Sequence, residues 1–319
     1  MNYATYQAVN AAAMAHYQNG EFSQALALLN AEAPRFPENR PEADYLRACL
    51  AVRTDNHALT YQILDGLYAD GIWFAETLFR NSPSFASLQG NPEFEQRATS
   101  HAELRARTDP VGPARLHVHL PAGGSAPPTL FHLHGNGSHP SVELPHWQPA
   151  GDRGWLVAAP VASDVLFAGG NAFWPDHETA ERQLSAHFAT LKHDHPVDET
   201  RLILTGFSMG GDVAIAQTLK GNLIPARGFL VVGPGGPMID EPESYRPLID
   251  AAKGRNLRGV IMVSRHDPAI EPDKAAQLAQ MPNDGSIPCR FIEYPDEGHV
   301  YPADFAERLD NALSFILSR

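Results

Sequence analysis

Residues 202–211 read LILTGFSMGG. The stretch begins with an apolar run that lacks polar alternation, which indicates a strand buried on both faces. The pentapeptide Gly-Phe-Ser-Met-Gly follows, and helical periodicity begins near Met209. A strand, a sharp turn and a helix therefore meet at Ser208, and Gly206 and Gly210 lack the Cβ atoms that would keep strand and helix apart. This context predicts that Ser208 stands at the tip of a strained turn as a nucleophile.

Residues 114–319 alternate short β-rich runs with longer segments of helical periodicity. The predicted strands are Arg115–Leu120, Thr129–His134, Trp155–Ala159, Arg201–Thr205, Gly228–Val232, Gly259–Ser264 and Arg290–Tyr294. The predicted helices are Glu178–His193, Met209–Leu219, Asp273–Met281 and Ala303–Leu317. Strands that alternate with helices form right-handed crossovers. We therefore expect an α/β domain in which helices flank a mostly parallel sheet.

Residues 1–108 carry apolar side chains at three- and four-residue intervals and show no period-two alternation, which predicts an all-α domain. Within it, the spacing of small and apolar residues from Ala13 to Pro37 is similar to that of one tetratricopeptide repeat. An irregular bundle of about four to six helices is the alternative. The connector 108–113 contains proline and glycine and is the predicted boundary between domains 1–108 and 114–319.

The composition excludes several classes of protein. The 319 residues include 24 Lys and Arg against 37 Asp and Glu, a formal net charge of −13, and nucleic-acid binding needs clustered positive charge, so no nucleic-acid partner is expected. Two distant cysteines, Cys49 and Cys289, argue against a disulfide framework. No apolar stretch reaches the roughly 18–20 residues that span a bilayer, and the N-terminal segment favours a helix over a signal peptide. We expect a cytoplasmic protein without a membrane span.

A nucleophilic serine needs a base that removes its proton and a carboxylate that orients this base. Asp267 follows the predicted strand Gly259–Ser264, and His299 follows the next predicted strand, Arg290–Tyr294. Because the carboxyl ends of parallel strands share one edge of a sheet, both side chains are expected beside Ser208. Three further acids near these strand ends stay open as alternatives for the carboxylate: Glu271, Asp296 and Glu297.

Acyl transfer also requires an oxyanion hole, which consists of two N–H donors aimed at the developing negative charge. The N–H of Met209, directly after the serine, is one predicted donor. The other is expected from the loop after the predicted strand Thr129–His134, which reads Gly-Asn-Gly. Asn136 is the predicted second donor, with its neighbours Gly135 and Gly137 as alternatives.

A group of histidines raises the alternative of a metal site. Its members are His132, His134, His139 and His146. No convergent set of carboxylates or cysteines accompanies them in the sequence. We therefore expect no metal ion.

Three stretches resemble the phospholipase/carboxylesterase group of the α/β-hydrolase superfamily. They are LFHLHGNG at 130–137, LILTGFSMGG at 202–211 and Trp-Pro-Asp at 174–176. The resemblance covers 114–319. It implies an α/β-hydrolase fold and the hydrolysis of carboxylic ester or thioester bonds without a metal or an organic cofactor.

The resemblance also implies roles for five residues. Ser208, Asp267 and His299 match the catalytic triad of this group, and Asn136 and Met209 match its oxyanion donors. The chain departs from the group in its helical N-terminal third and in the Arg-His pair that precedes the acid in place of the usual glycine. Residues 232–237, VGPGGP, also depart from the group and reshape a wall of the pocket, so the substrate of the group does not carry over to this chain.

The sequence predicts a serine hydrolase that forms an acyl-enzyme with a small-molecule ester. A serine exopeptidase with the same triad, and a helical-repeat scaffold with an inactive hydrolase domain, are the alternatives. Three aromatic residues are predicted to line the substrate pocket or, alternatively, to pack beneath their loop: Phe167, Phe173 and Trp174. The helical domain is expected to cover the active site, form a homodimer or bind a protein partner through Trp73, Phe74 and Phe79.

Overall fold

The computed structural model describes residues 3–108, 115–123, 126–168, 172–284 and 287–318. The chain divides into two compact units. The helical unit comprises 1–112 and 165–171, and the sheet unit comprises 113–164 and 172–319. Residues 109–113 of the predicted connector lie outside the described residues.

Six α-helices form the described part of the helical unit. They are α1 (Tyr6–Gln18), α2 (Phe22–Glu32), α3 (Arg40–Arg53), α4 (His57–Ala69), α5 (Glu76–Arg80) and α6 (Pro92–Thr108). Polar side chains fix where two of them begin. The hydroxyl of Thr5 accepts the N–H of Ala8 at 3.3 Å, and the amide oxygen of Asn56 accepts the N–H of Leu59 at 3.1 Å. Each bond satisfies a first-turn N–H group that has no acceptor within its helix.

The residues that carried the repeat-like spacing lie together in the helical unit. Ala13 of α1 and Ala25 and Leu29 of α2 are fully buried in one apolar cluster, to which α3 contributes Leu50 and Ala51. Small side chains at these positions let the helices approach each other closely. The tetratricopeptide repeat itself stays a prediction.

A segment from the middle of the chain, residues 165–168, packs into the helical unit, and we call it the strap. The N–H of Ala75 donates to the carbonyl of Leu166 at 2.7 Å, and the N–H of Ala168 donates to the carbonyl of Trp73 at 2.9 Å. Phe74 and Phe167 form an antiparallel bridge between these bonds. The predicted boundaries place the strap in the second domain, whereas the structure groups it with the helices. The helical unit is therefore built from two separate pieces of chain.

Replacing Phe167 by alanine is expected to destabilise the helical unit. The Phe167 ring lies edge-on to Phe74 with 6.3 Å between ring centroids, and Phe74 is almost fully buried in the aromatic cluster of this unit. Because Phe167 is half-buried, the expected loss is about 2 kcal/mol in the free energy of unfolding. Hydrogen exchange of α4 and α6 during urea unfolding measures it. Val142→Ala, at an exposed position, is the control, and an equal exchange profile for the two variants would contradict the strap's role.

The sheet unit contains one sheet of seven strands within the described residues. In chain order, the strands of the unit and its boundary are β1 (Leu116–His119), β2 (Thr129–Leu133), β3 (Leu156–Pro160), the short β4 (Asp164–Val165) and β5 (Ala172–Phe173), β6 (Leu202–Phe207), β7 (Gly228–Val232), β8 (Arg258–His266) and β9 (Cys289–Glu297). The order in the large sheet is β1-β3-β2-β6-β7-β8-β9, and only β1 runs antiparallel to its neighbour. The predicted mostly parallel sheet is confirmed.

Seven α-helices accompany these strands in the described residues. They are α7 (Pro140–Asp152), α8 (His177–Asp194), α9 (Met209–Lys220), α10 (Pro237–Asp240), α11 (Arg246–Ala252), α12 (Pro272–Asp284) and α13 (Phe305–Leu317). Of the longer helices, α7 is not among those predicted. Pro145 and Pro149 lie inside it and interrupt the helical signal in the sequence, since proline cannot donate an intrahelical hydrogen bond.

Successive side chains of the central strands point to opposite faces of the sheet, and both faces are covered. Leu130 of β2 belongs to a buried cluster with Trp147 of α7 and Leu309 of α13. The next residue, Phe131, contacts Phe188 of α8 with 5.9 Å between ring centroids. Burial on both faces explains why these strands read as continuous apolar runs. None of the described helices has the length and apolar character that a membrane span requires.

Candidate active site

The turn after β6 holds Ser208 in a backbone conformation that is rare for a residue with a side chain. Its φ is +52° and its ψ is −128°. The N–H of Ser208 donates to the carbonyl of Val232 at 3.2 Å, and its carbonyl accepts the N–H groups of Gly211 at 2.8 Å and Gly235 at 3.1 Å. Such a conformation costs about 1–3 kcal/mol and persists only where the surroundings impose it. Here the neighbouring loops impose it, as the predicted nucleophile turn requires.

Two glycines allow the strand, the helix and a neighbouring loop to meet at this turn. A Cβ atom on Gly206 would lie 2.3 Å from the carbonyl oxygen of Gly210. A Cβ atom on Gly210 would lie 2.2 Å from the carbonyl oxygen of Leu133, at the end of β2. Both contacts are with backbone atoms, which cannot move without displacing the elements that carry them. The glycine spacing around the serine is therefore a packing requirement.

Gly206→Ala is expected to lower the free energy of unfolding by about 3 kcal/mol or more, because the new methyl group collides with backbone rather than with a flexible side chain. Gly66→Ala is the matched control. Gly66 lies inside α4 with open space around its Cβ position, so alanine there should stabilise the protein by about 0.5–1 kcal/mol. Urea unfolding measures both changes. Equal stability of the two variants would contradict the close approach at the turn.

Asp267 and His299 lie in contact at the carboxyl edge of the sheet. Nδ1 of His299 and Oδ2 of Asp267 are 2.7 Å apart, and the carboxyl side chain is fully buried. The other oxygen, Oδ1, accepts the N–H groups of Ala269 at 2.8 Å and Ile270 at 3.1 Å. Because a carboxylate only accepts hydrogen bonds, this arrangement favours the tautomer of His299 in which Nδ1 carries the proton. The opposite nitrogen, Nε2, is then free to act as a base.

The glycine-rich loop after β7 borders both the serine and the imidazole. A Cβ atom on Gly233, whose φ is +49°, would lie 3.0 Å from Cε1 of His299, and one on Gly235 would lie 4.0 Å from Oγ of Ser208. The imidazole also packs against Phe207 with 4.5 Å between ring centroids. Nε2 of His299 is buried and has no hydrogen-bond partner among the described residues. The hydroxyl of Ser208 therefore forms no hydrogen bond with this nitrogen in the structure, and a buried nitrogen without a partner calls for an explanation.

Two of the three alternative acids form interactions with other residues, and the side chain of the third lies outside the described residues. Asp296 accepts the N–H of Ala303 at 3.3 Å, and Glu271 forms an ion pair of 3.0 Å with Lys274. The side chain of Glu297 lies outside the described residues. Asp267 is thus the predicted acid that the structure brings to His299.

The predicted oxyanion loop follows β2, and its backbone N–H groups have different partners. The N–H of Gly135 donates to Oε1 of Glu143 at 2.9 Å, and that of Gly137 donates to the carbonyl of Ala172 at 3.1 Å. The N–H of Asn136 makes no hydrogen bond within the described part of the chain. Of the three predicted alternatives, Asn136 is therefore the one with a free donor. The N–H of Met209 lies in the first turn of α9, where it has no intrahelical acceptor.

The three aromatic residues predicted at the pocket occupy different places. Trp174 is almost fully buried, and its indole N–H donates to the carbonyl of His134 at 2.7 Å. Its backbone N–H donates to Oδ1 of Asn136 at 2.7 Å, so Trp174 holds the oxyanion loop. Phe167 belongs to the strap. Phe173 is half-buried and lies 3.7 Å from the Cβ position of Gly137, which puts it beside the oxyanion loop.

The four clustered histidines have separate structural partners. Nδ1 of His134 donates to the carbonyl of Gly135 at 2.8 Å while Nε2 accepts the N–H of Ala162 at 3.1 Å, and burial lowers the pKa of His134 to about 4. His132 contacts Glu143, and His139 contacts the first turn of α7. His146 stacks on the ring of Tyr301. Among the described residues, no three His, Cys, Asp or Glu side chains are grouped to hold a metal ion.

Glu143 is a charged residue at this edge that the sequence did not point to. It is 3% exposed, and its carboxylate contacts both the oxyanion loop and His132. It lies on α7, the helix that the prolines concealed. A carboxyl residue eight positions after Gly135 carries no recognisable motif, so only the folded chain reveals it.

Solved structures that are similar to this chain include the following three, each with a TM-score of 0.50 or more. An uncharacterized protein from Bacillus cereus ATCC 10987 has 21% identity and a TM-score of 0.55, covering 98% of this chain and 99% of its own. Esterase PE8 has 21% identity and a TM-score of 0.52, and the match covers 64% of this chain and 98% of the esterase. Est1E from Butyrivibrio proteoclasticus has 13% identity and a TM-score of 0.50, and the match covers 64% of this chain and 93% of Est1E. At these identities the likeness shows the fold. Comparison with curated protein sequences gives no match.

A family model also matches, and it differs from the group that the motifs resemble. The match covers residues 167–313 and belongs to the Dienelactone hydrolase family. It includes the serine turn and the strands that lead to Asp267 and His299, but not the oxyanion loop. The sheet unit therefore has the α/β-hydrolase fold shared with esterases, and residues 167–313, most of which lie in this unit, match the model of the Dienelactone hydrolase family.

Proposed function

We propose that this protein is a serine hydrolase that cleaves carboxylic ester or thioester bonds of small molecules. The observation that carries the proposal is the 2.7 Å contact between Asp267 and His299 at the sheet edge where the strained turn presents Ser208. The Dienelactone hydrolase match and the fold shared with esterases support hydrolysis as the reaction. The cover over the active site, the homodimer, the protein partner and the cytoplasmic location stay predictions, but the side chains expected to make these contacts, Trp73, Phe74 and Phe79, are buried in the core clusters of the helical unit.

In the proposed mechanism, Nε2 of His299 takes the proton of Ser208 as Oγ forms a bond to the substrate carbonyl carbon. Asp267 holds the imidazole through Nδ1 and stabilises the imidazolium. The N–H groups of Asn136 and Met209 donate to the resulting oxyanion. As the tetrahedral intermediate collapses, His299 returns the proton to the leaving alcohol or thiol. A water molecule then attacks the acyl-enzyme, with His299 again the base.

The surroundings of Ser208 favour an uncharged acyl group. Gly235 borders Oγ, and its Cβ position lies 2.1 Å from Cδ1 of Ile270. The Cβ position of the next residue, Gly236, lies 2.3 Å from Oδ2 of the fully buried Asp212 and 2.7 Å from Sδ of Met209. The apolar side chains would desolvate a charged acyl group, and the buried carboxyl group of Asp212 would not compensate an acyl anion. We therefore propose a neutral acyl chain, as in an acetate or butyrate ester.

Two assays test the proposal. The purified protein should hydrolyse p-nitrophenyl butyrate, leave an aminoacyl p-nitroanilide intact, and react with a fluorophosphonate probe, since only an activated serine forms that adduct. Preferred cleavage of the anilide would favour the exopeptidase alternative. Absence of both hydrolysis and labelling would favour a scaffold and overturn the proposal.

A further inference from the structure

Glu143 is a buried carboxylate that the proposed mechanism does not use. It lies on α7 and is 3% exposed. Burying a carboxylate costs several kcal/mol unless hydrogen bonds replace the lost water. Oε1 accepts the N–H of Gly135 at 2.9 Å. Oε2 lies 2.8 Å from Nε2 of His132 and 3.2 Å from the hydroxyl of Tyr301. The carboxylate is therefore fully engaged.

The partners of Glu143 lie on two of the three segments that carry the proposed catalytic groups, and His132 connects them to the third. Gly135 directly precedes Asn136, the proposed oxyanion donor. His132 extends the network to β6, because its Nδ1 lies 3.1 Å from the hydroxyl of Thr205, three residues before Ser208. Tyr301 follows His299 by two residues.

The pKa shifts of Glu143 and Tyr301 agree with the hydrogen bonds that these two side chains form. Burial by itself raises the pKa of Glu143, but hydrogen bonds from His132, Ser138 and Gly135 outweigh it and bring the pKa below its usual value. Burial and the nearby charge of Glu143 raise the pKa of Tyr301, so that its hydroxyl stays protonated and donates. The indole N–H of Trp147 donates to the same hydroxyl at 3.2 Å.

We propose that Glu143 is a positioning residue that orients the oxyanion loop by holding the N–H of Gly135 and ties this loop to the segments that carry Ser208 and His299. The proposal rests on the proposed function, since it assigns the N–H of Asn136 to the oxyanion. An oxyanion donor acts only within hydrogen-bond distance of the developing charge. A displacement of about 1 Å at such a donor can cost about 100-fold in rate.

Two variants separate positioning from general stability. Glu143→Ala removes the acceptor of Gly135 and is expected to lower kcat for p-nitrophenyl butyrate about 100-fold, with KM changed by less than about threefold. Glu143→Gln keeps an oxygen that can accept the same N–H and should retain kcat within about fivefold of the wild type. Leu313→Ala is the stability control. Leu313 of α13 belongs to a buried core cluster that includes none of the proposed catalytic residues, so its loss should destabilise the protein with kcat nearly unchanged.

Two further readouts would not respond to a purely structural role. A trifluoromethyl ketone forms a tetrahedral adduct, and Glu143→Ala should weaken its inhibition by the same factor as it lowers kcat/KM. Hydrogen exchange of the peptide around Gly135 should accelerate at least about tenfold in Glu143→Ala and not in Leu313→Ala.

The results that would overturn the positioning role of Glu143 differ from the result that would overturn the proposed function. Equal losses of kcat in Glu143→Ala and Leu313→Ala, or unchanged exchange at Gly135, would overturn the positioning role. If the wild type hydrolyses no ester, the proposed function falls. The exchange measurement then decides alone whether Glu143 holds the loop.

Discussion

Ser208→Ala is expected to lower kcat/KM for p-nitrophenyl butyrate by about 10⁶-fold and to abolish labelling by a fluorophosphonate. Alanine removes Oγ, the atom that forms the acyl-enzyme, and the remaining oxyanion donors retain only a small part of the acceleration. The fold should be unaffected, because the hydrogen bonds that impose the turn involve the backbone N–H and carbonyl of residue 208.

A second serine supplies the control for this measurement. Ser244 is exposed and lies outside the proposed machinery, so Ser244→Ala should keep both activity and labelling. The reactions are followed as p-nitrophenolate release and as probe incorporation. A Ser208→Ala protein that still hydrolyses the ester at more than about a hundredth of the wild-type rate would show that the acyl group is not carried by this serine.

Asp267→Asn is expected to lower kcat by about 10⁴-fold. The two oxygens of Asp267 have different partners, and Oδ1 accepts the N–H groups of Ala269 and Ile270. Asparagine keeps those bonds only if its oxygen faces them, which turns its NH2 group toward Nδ1 of His299. Nδ1 must then accept, so the proton moves to Nε2. An imidazole protonated at Nε2 cannot take the proton of Ser208.

Asp296→Asn tests the assignment of the acid. Asp296 accepts a backbone N–H from Ala303, and an amide oxygen preserves that bond, so kcat should stay close to the wild-type value. Stopped-flow measurement of the burst phase shows whether acylation is the step that Asp267→Asn slows. A large loss in Asp296→Asn together with a small loss in Asp267→Asn would mean that the catalytic carboxylate was assigned wrongly.

The sheet could be predicted in detail because burial on both faces leaves a strong local signal. The predicted strand Gly228–Val232 has the same bounds in the structure, and the helix predicted from Met209 begins there. Local rules failed at α7, where Pro145 and Pro149 lie inside a helix that tertiary packing stabilises. They also carry no signal for the strap, because its backbone bonds join Leu166 and Ala168 to residues far away in the chain.

The sequence by itself predicted the order of the candidate catalytic residues and the sheet edge at which they lie. This was possible because a parallel sheet places the carboxyl ends of its strands along one edge. Only the tertiary structure decided which acid contacts His299, which N–H of the oxyanion loop is free, and that Glu143 accepts an N–H of this loop. Such contacts depend on where side chains point and on hydrogen bonds between residues that are distant in the sequence. The spacing of residues along the chain does not encode them.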